Sequence, residues 1–351
     1  MLETHSTSTK AQAAIAEPKS VSVIMPIRNE AGYIRESLQS VLDQDYPAGL
    51  SEIVVVDGMS TDKTREIVLE MAADHPNLRM IDNPGMIVPT GMNIALQQVQ
   101  GDIIVRVDGH CVIQPDYVRR CVEYLENTDA DGVGGPMETV GETAMASAIA
   151  QAMSSPFGVG GSAFRTVKDR TMWVDTVAFP AYTREIIHRN GLYDEELVRN
   201  QDDEYNYRLR SMGGRILMAH DIRSRYYSRS SLKSLWRQYK QYGFWKVRVM
   251  QKHPRQMSPR QFVPPLFVAS LIGLSVLSIF TPYARILLAV EAATYVAANL
   301  TASLITALRS DIRHLPYLPI AFGILHISYG LGFLHGLLKF ANRWKTEANN
   351  G

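Results

Sequence analysis

Val21-Ser-Val-Ile-Met-Pro-Ile-Arg-Asn-Glu30 is a short apolar run, rich in β-branched side chains, that ends abruptly on three polar ones. Such a run predicts a buried strand over residues 21–27, with Arg28, Asn29 and Glu30 at its carboxyl end. The same grammar repeats downstream. Apolar runs at residues 53–56, 78–81 and 103–107 predict three further strands. Helical spacing runs through Ile34, Leu38, Val41 and Leu42, through Ile67, Val68 and Met71, and across residues 88–99. Strands separated by helices of about ten residues predict an α/β fold with a mostly parallel sheet and right-handed crossovers. Ligands of such sheets bind at the carboxyl ends of the strands. Those ends carry Arg28, Asn29 and Glu30, then Asp57 and Gly58, then Asp108, Gly109 and His110.

Neither Gly-x-Gly-x-x-Gly nor Gly-x-x-x-x-Gly-Lys-Ser/Thr occurs at these turns, so the sequence lacks the usual phosphate cradles. A carboxylate-bound divalent cation is the natural substitute for holding a phosphate-bearing ligand. At this point a resemblance emerges. The opening run, together with Val55-Val-Asp57-Gly-Met-Ser60-Thr-Asp62, resembles the start of family 2 glycosyltransferases with the GT-A fold, a Rossmann-like sheet with flanking helices. Ile104-Val-Arg106-Val-Asp108-Gly-His110 resembles their Asp-x-Asp metal motif, and Gln201-Asp-Asp-Glu-Tyr-Asn-Tyr-Arg208-Leu their base motif. Ser155-Pro-Phe-Gly-Val-Gly-Gly161 and Val174-Asp-Thr176 are similar to the succinoglycan-type exopolysaccharide transferases.

The resemblance implies a glycosyltransferase domain over residues 20–230, with a nucleotide-sugar half at 20–130 and an acceptor half at 131–230. It implies an inverting, metal-dependent transfer from a UDP-sugar, UDP-glucose by the succinoglycan likeness, to a saccharide on a polyprenyl diphosphate. Asp57 is then a contact to the uracil ring, and Glu30 a ribose or base contact; Ser60 and Asp62 are better placed than Asp57 to cap the next helix. Asp108 is the expected ligand of Mg²⁺ or Mn²⁺, which offsets charge on the leaving diphosphate. His110 stands where the family commonly has Asp, either as a softer ligand or as a group behind the metal. Asp202 is the expected general base, and Asp203 and Glu204 also suit a helix N-terminus. Asp175, Thr176 and Asp203 are assigned to the acceptor side, and Arg106 to phosphate or the sheet edge. Arg229 either closes over the diphosphate or is a solvated member of the basic zone.

The charge distribution adds the membrane. The chain has 36 Lys plus Arg against 35 Asp plus Glu and is 46% hydrophobic, which excludes a disordered tail and a strongly basic nucleic-acid binder. Two cysteines, Cys111 and Cys121, are too few for a disulfide scaffold and fit a reducing compartment. Between residues 262 and 338 the only charges are Arg285, Glu291, Arg309, Asp311 and Arg313. Segments 262–281, 283–308 and 315–338 are each long enough to cross a bilayer, so residues 262–340 are expected to form about three spans. Glu291, mid-span, should face protein rather than lipid.

Residues 223–260 hold eleven Lys or Arg and no acid. Within them, segment 231–261 predicts an amphipathic helix, with Leu232, Leu235, Trp236, Tyr239 and Tyr242 toward acyl chains and Lys233, Arg237 and Lys240 toward anionic headgroups; an ordinary surface helix packed on the catalytic domain is the other reading. The basic zone predicts a catalytic domain on the cytoplasmic side of a bacterial inner membrane. Three crossings would put the tail, residues 341–351, outside, against the pull of Lys339, Arg343 and Lys345; a re-entrant pair at Pro282 is the alternative. Residues 1–19 are polar, Ala-rich and expected to be disordered, with no signal peptide. Membrane lipids and other exopolysaccharide-assembly proteins are the expected partners. A processive polysaccharide synthase carries Gln-x-x-Arg-Trp, whereas here Gln241-Tyr-Gly-Phe244-Trp245 lacks the Arg. A polyprenyl-phosphate glycosyltransferase and a non-catalytic membrane scaffold are the other readings.

Overall fold

The computed structural model describes residues 18–228 and 231–344. The first 17 residues, Arg229, Ser230 and residues 345–351 lie outside the described residues, and with them most of the expected disordered N-terminus and polar tail.

The first half follows the sequence closely. Strands β1 (Val21–Ile27), β2 (Ser51–Asp57), β3 (Leu78–Asp82) and β4 (Ile103–Arg106) alternate with helices α1 (Ile34–Leu42), α2 (Thr64–Ala72) and α3 (Val88–Leu96). There follow β5 (Cys111–Ile113), α4 (Tyr117–Asn127), β6 (Gly132–Gly135), β7 (Met137–Val140), α5 (Ala144–Met153), α6 (Pro156–Val159) and α7 (Ala163–Thr166). Then come β8 (Met172–Val174), β9 (Ala178–Thr183), α8 (Arg184–Asn190), α9 (Gln201–Ser211), β10 (Ile216–Met218) and β11 (Ser224–Tyr227). The remainder is helical: α10 (Leu232–Lys252), α11 (Val263–Leu277), α12 (Pro282–Arg309) and α13 (Leu318–Lys339).

The main sheet has eight strands in the order β3-β2-β1-β4-β9-β6-β10-β8. Its first four are mutually parallel, as expected, whereas β9 runs antiparallel to both β4 and β6, and β8 antiparallel to β10. The sheet is therefore mixed, and the change of direction at β4/β9 opens the cleft beside the ends of β1 and β4. Alternate residues of β1, β2 and β4 feed two cores. Val23, Met25, Val55 and Val105 pack with α1, α2 and α4 on one face; Ile24, Val54, Val56 and Ile104 pack with α3 and α9 on the other.

The C-terminal helices differ more from expectation. Helix α10 forms, and Lys233, Trp236, Arg237 and Lys240 are exposed along it. Part of its apolar stripe is covered by protein instead of acyl chains: Leu235 and Tyr239 are buried in one cluster with Met153 of α5 and Phe322 of α13, while Trp236 stays exposed. Helix α13 runs beside α10, in the same direction, at backbone contact. A Cβ added to Gly243 would lie 2.0 Å from the Tyr329 carbonyl oxygen, and one on Gly332 would lie 2.0 Å from that of Lys240. Both ends of α13 are tied to the catalytic domain, by His314 Nδ1 to Gln151 Nε2 (2.7 Å) before it and by an Arg343–Glu196 ion pair after it.

Residues 259–277, 282–309 and 318–339 form three helices long and apolar enough to cross a membrane. They are unequal in surroundings. In the apolar window, 11% of residues are buried for each of the first two and 44% for the third, which separates a protruding α11–α12 pair from a packed α13. Glu291 faces protein, as expected, accepting a hydrogen bond from Ser270 across the pair.

Candidate active site

The strand ends at the cleft are held by loops that sequence alone makes plausible but does not fix. Asn29, Met59, Met86, Phe179 and Asn200 all have left-handed backbone, at φ of 55°, 58°, 59°, 47° and 65°. Non-glycine residues in that region are uncommon and concentrate where a site needs a sharp turn. The β1 and β2 loops are laced together: Asn29 N–H donates to Ser60 Oγ (2.9 Å), and Thr61 N–H to Asn29 Oδ1 (2.8 Å). Asp62 accepts from the Thr64 N–H (3.0 Å) at the start of α2, which leaves Asp57 without a capping duty there.

Asp57 is fully buried. Its Oδ2 accepts from Ser60 N–H (3.0 Å) and Arg65 (2.5 Å), and its buried Oδ1 has no partner. Val56 and Gly58, not Asp57 itself, line the cleft. The free oxygen is thus buried beside the cleft wall formed by Val56 and Gly58.

Asp108, Arg106 and Asp202 form one connected unit. Arg106 comes from the last position of β4, with its side chain 6% exposed; it donates to Asp108 Oδ1 (2.9 and 3.0 Å) and to Asp202 Oδ1. Two flanking carboxylates outweigh the cost of burial and keep this guanidinium firmly protonated. Asp202 lies in the first turn of α9, deep in the cleft. Loss of bulk water raises its carboxyl above the ordinary aspartate value; Arg106 opposes the rise and repulsion from Asp108 adds to it. A base with a raised pKa is better matched to deprotonating a hydroxyl near neutrality. Arg106, assigned from sequence to phosphate or the sheet edge, is placed between the metal-type carboxylate and the base-type carboxylate.

His110 and Glu30 pair instead of acting separately. His110 Nδ1 is 3.0 Å from Glu30 Oε1, and its ring meets Tyr226 edge-on at 4.8 Å. A carboxylate only accepts, so Nδ1 donates to Glu30, and in the neutral form of the ring the lone pair is then on Nε2. Nε2 is buried and has no partner. A buried imidazole nitrogen with a free lone pair, oriented by a carboxylate on the other nitrogen, is the arrangement metal-binding histidines adopt. Among the described residues no cluster of three or more His, Cys, Asp or Glu stands ready for a metal. Asp108 and His110 alone fit a cation whose remaining ligands are substrate phosphates and water.

The acceptor-side residues also converge. Thr176 Oγ1 accepts from Asn206 of α9 (2.8 Å), Asp175 pairs with Arg260 (3.2 Å), and Asp203 pairs with Lys246 of α10. Glu204 is turned away, buried against Arg208 (2.6 Å) and His253 (3.0 Å). Arg229 lies outside the described residues. Sequence reasoning missed Arg165, Arg199, Lys246 and Arg260, all of which border the cleft. They carry no motif; Lys246 and Arg260 stood out only as members of the basic zone. Phe244, the departure from the synthase motif, packs against Trp245, His335 and Phe340, away from the cleft. Both cysteines are buried free thiols, their pKa raised mainly by burial.

Glu30, Arg106, Asp108, His110, Asp175, Thr176, Asp202 and Asp203 border one cavity of about 1290 Å³, which runs from the strand ends to the helices α11, α12 and α13. A family model described as glycosyl transferase family 2 matches residues 22–189. The succinoglycan biosynthesis protein ExoA of Rhizobium meliloti (strain 1021) is 32% identical over 323 residues, 92% of this chain and 96% of that protein. A dolichyl N-acetyl-alpha-D-glucosaminyl phosphate 3-beta-D-2,3-diacetamido-2,3-dideoxy-beta-D-glucuronosyltransferase of Methanococcus voltae is 29% identical over 240 residues, 66% of this chain and 74% of that one. Among solved structures, the mannosyltransferase PcManGT of Pyrobaculum calidifontis, in complex with GDP-Man and Mn²⁺, superposes with a TM-score of 0.57 at 21% identity, covering 91% of this chain and 88% of that one.

Proposed function

The chain belongs to glycosyltransferase family 2, and from that premise we propose an inverting, single-addition transfer of a sugar from a UDP-sugar to a saccharide on a polyprenyl diphosphate. The observation that carries this reading is the joining of Asp108, Arg106 and Asp202 at the head of a cavity whose far end is walled by the long apolar helices α11, α12 and α13. The similar ExoA protein is named for succinoglycan biosynthesis, and the similar dolichyl-phosphate transferase for a lipid-linked acceptor; both favour an acceptor of this kind.

In the proposed mechanism Asp202 takes the acceptor hydroxyl proton as that oxygen attacks the anomeric carbon from the face opposite the diphosphate. Arg106 holds Asp202 in place and keeps enough of it ionised to act. Asp175, Thr176 and Asp203 border the acceptor's approach. Asp108 and His110 are the residues to hold a divalent cation, which supplies charge neutralisation to the leaving diphosphate when bound. Glu30 then also acts on the metal site by orienting His110, beside its proposed ribose or base contact. Asp57 Oδ1 is the remaining acceptor for a uracil N–H, and UDP-glucose is the proposed donor.

The same reading puts the domain at the cytoplasmic face of a bacterial inner membrane, in company with other exopolysaccharide-assembly proteins; the exposed Lys233, Arg237 and Lys240, which suit anionic headgroups, support it. A panel of nucleotide sugars, with membranes, lipid-linked acceptors and either Mn²⁺ or Mg²⁺, tests the reading through the mass of the lipid product. One added hexose from UDP-glucose is the expected result; a ladder of additions points to a processive synthase, and no transfer from any donor to a scaffold.

A further inference from the structure

The cavity is larger than one ligand needs and changes character along its length. Small-molecule sites usually enclose roughly 300–1,000 Å³, whereas this one encloses about 1290 Å³. Its strand-end part carries Arg106, Asp108, His110 and Asp202; its other part is walled by Phe157 of α6, Phe267 of α11, Glu291, Thr294, Tyr295 and Ala298 of α12, and His326 of α13. Thr294 and Ala298 line the cavity and are exposed, so this part lies beside the protruding hairpin.

Two arginines also stand on the cavity wall. Arg165 donates to Thr139 Oγ1 (3.5 Å) and lies over the Phe164 and Tyr226 rings at 5.2 and 6.0 Å; Arg199 donates to Gln241 Oε1 (3.2 Å). Neither has a carboxylate within ion-pair distance among the described residues, yet both are half-buried on the cavity wall. A guanidinium removed from water without a counter-ion is costly, and its planar donor set matches phosphate oxygens.

We propose that Arg165 and Arg199 bind the diphosphate of a lipid acceptor whose hydrocarbon chain leaves through an opening between α6, α11 and α12. This deepens the reading above, and rests on it, by giving the lipid-linked acceptor a site separate from that of the donor diphosphate. The chain lies against Phe157, Phe267 and Ala298, past a Glu291 carboxyl that accepts a hydrogen bond from Ser270. The saccharide end then points along Asp175 and Thr176 toward Asp202. Arg260, shared with Asp175 and the Gly161 carbonyl (2.8 Å), closes the near side.

The test is equilibrium binding to the purified full-length protein in detergent, followed by native mass spectrometry, with a long-chain polyprenyl diphosphate and with inorganic diphosphate as probes. The lipid is expected to bind at least about tenfold more tightly than inorganic diphosphate. Arg165→Gln and Arg199→Gln are each expected to weaken lipid binding by about tenfold, the effect of one lost charge-assisted hydrogen bond. Ala298→Trp, which plugs the opening, should do the same by a different route, and UDP affinity reports that each variant is folded. Asp108→Asn should leave lipid binding unchanged. Equal binding of the two probes, unchanged binding in all three variants, or loss of lipid binding in Asp108→Asn overturns the site. If the lipid binds as described but no nucleotide sugar supports transfer, the functional reading fails and the site stands. If transfer to a lipid-linked acceptor proceeds unaltered in the variants, the site fails and the functional reading stands.

Discussion

At the scale of single residues, the chemistry rests on a carboxylate held in two minds. Asp202 is pushed up by burial and pulled down by Arg106. Its ionised form is the working base, so kcat/KM should fall as pH drops through a value above the ordinary aspartate figure of about 3.9. Arg106→Gln removes the cation that lowers this pKa, and the acidic limb of the pH–rate profile is expected to move further upward; an unmoved limb disproves the coupling. Asp202→Asn should lower kcat by at least about 10²-fold while UDP binding stays near normal. His110→Asp gives a separate check. Replacing an imidazole by a carboxylate should weaken Mn²⁺ binding relative to Mg²⁺, read directly as the Mn²⁺ electron paramagnetic resonance signal in a titration with UDP present.

At the scale of elements, the α10–α13 contact governs how the molecule holds together. A side chain at Gly332 would meet the Lys240 carbonyl oxygen at 2.0 Å, backbone against backbone, where no rotamer change gives relief. Gly332→Val is therefore expected to cost at least the roughly 1–3 kcal/mol of ordinary overpacking. The check is a fall in Tm of the detergent-solubilised protein. Gly273, with nothing within 4 Å of its Cβ direction, is the matched control, and Gly273→Val should leave Tm nearly unchanged. This contact also marks where legibility stops. Val21–Ile27 reads as a strand from sequence because it is apolar throughout, and the structure returns the same bounds. Leu235 and Tyr239 read equally well as membrane-facing, because periodicity reveals an apolar face but not what covers it. The charged centre was readable as Asp57, Asp108 and Asp202, each on a motif. Glu30 against His110, and Arg106 between Asp108 and Asp202, were not, since those pairings depend on side-chain direction across strands.

For the whole molecule, the arrangement of α13 decides topology. A helix with one end bonded to Gln151 and the other to Glu196 starts and finishes on the catalytic domain, which leaves α11 and α12 as the pair free to enter a bilayer. Ile279 and Phe280, 71% and 77% exposed, lie at its tip, where the chain turns at Pro282. The C-terminal end of α13 is then expected on the same side as the catalytic domain, which removes the conflict between three crossings and a basic tail. Cysteine labelling with a membrane-impermeant maleimide measures this, because Cys111 and Cys121 are buried and silent in the native protein. In sealed, right-side-out vesicles, Lys339→Cys should label only after lysis; labelling before lysis restores the three-span arrangement.

The pairing of α10 with α13 also fixes an order of events during synthesis. Helix α10 leaves the ribosome with one face already able to dock on the catalytic domain, through Lys246 to Asp203 and Lys252 to Glu196 (2.8 Å). Its other face waits for residues 318–339, which are made only after the whole hairpin. At about 5–20 residues per second the wait lasts seconds, long compared with helix formation and collapse. The apolar hairpin is thus complete before the α13 wall of the cavity exists. If the hairpin enters a bilayer as proposed, the cleft is finished only after that insertion, at the surface where a lipid-linked acceptor would be met.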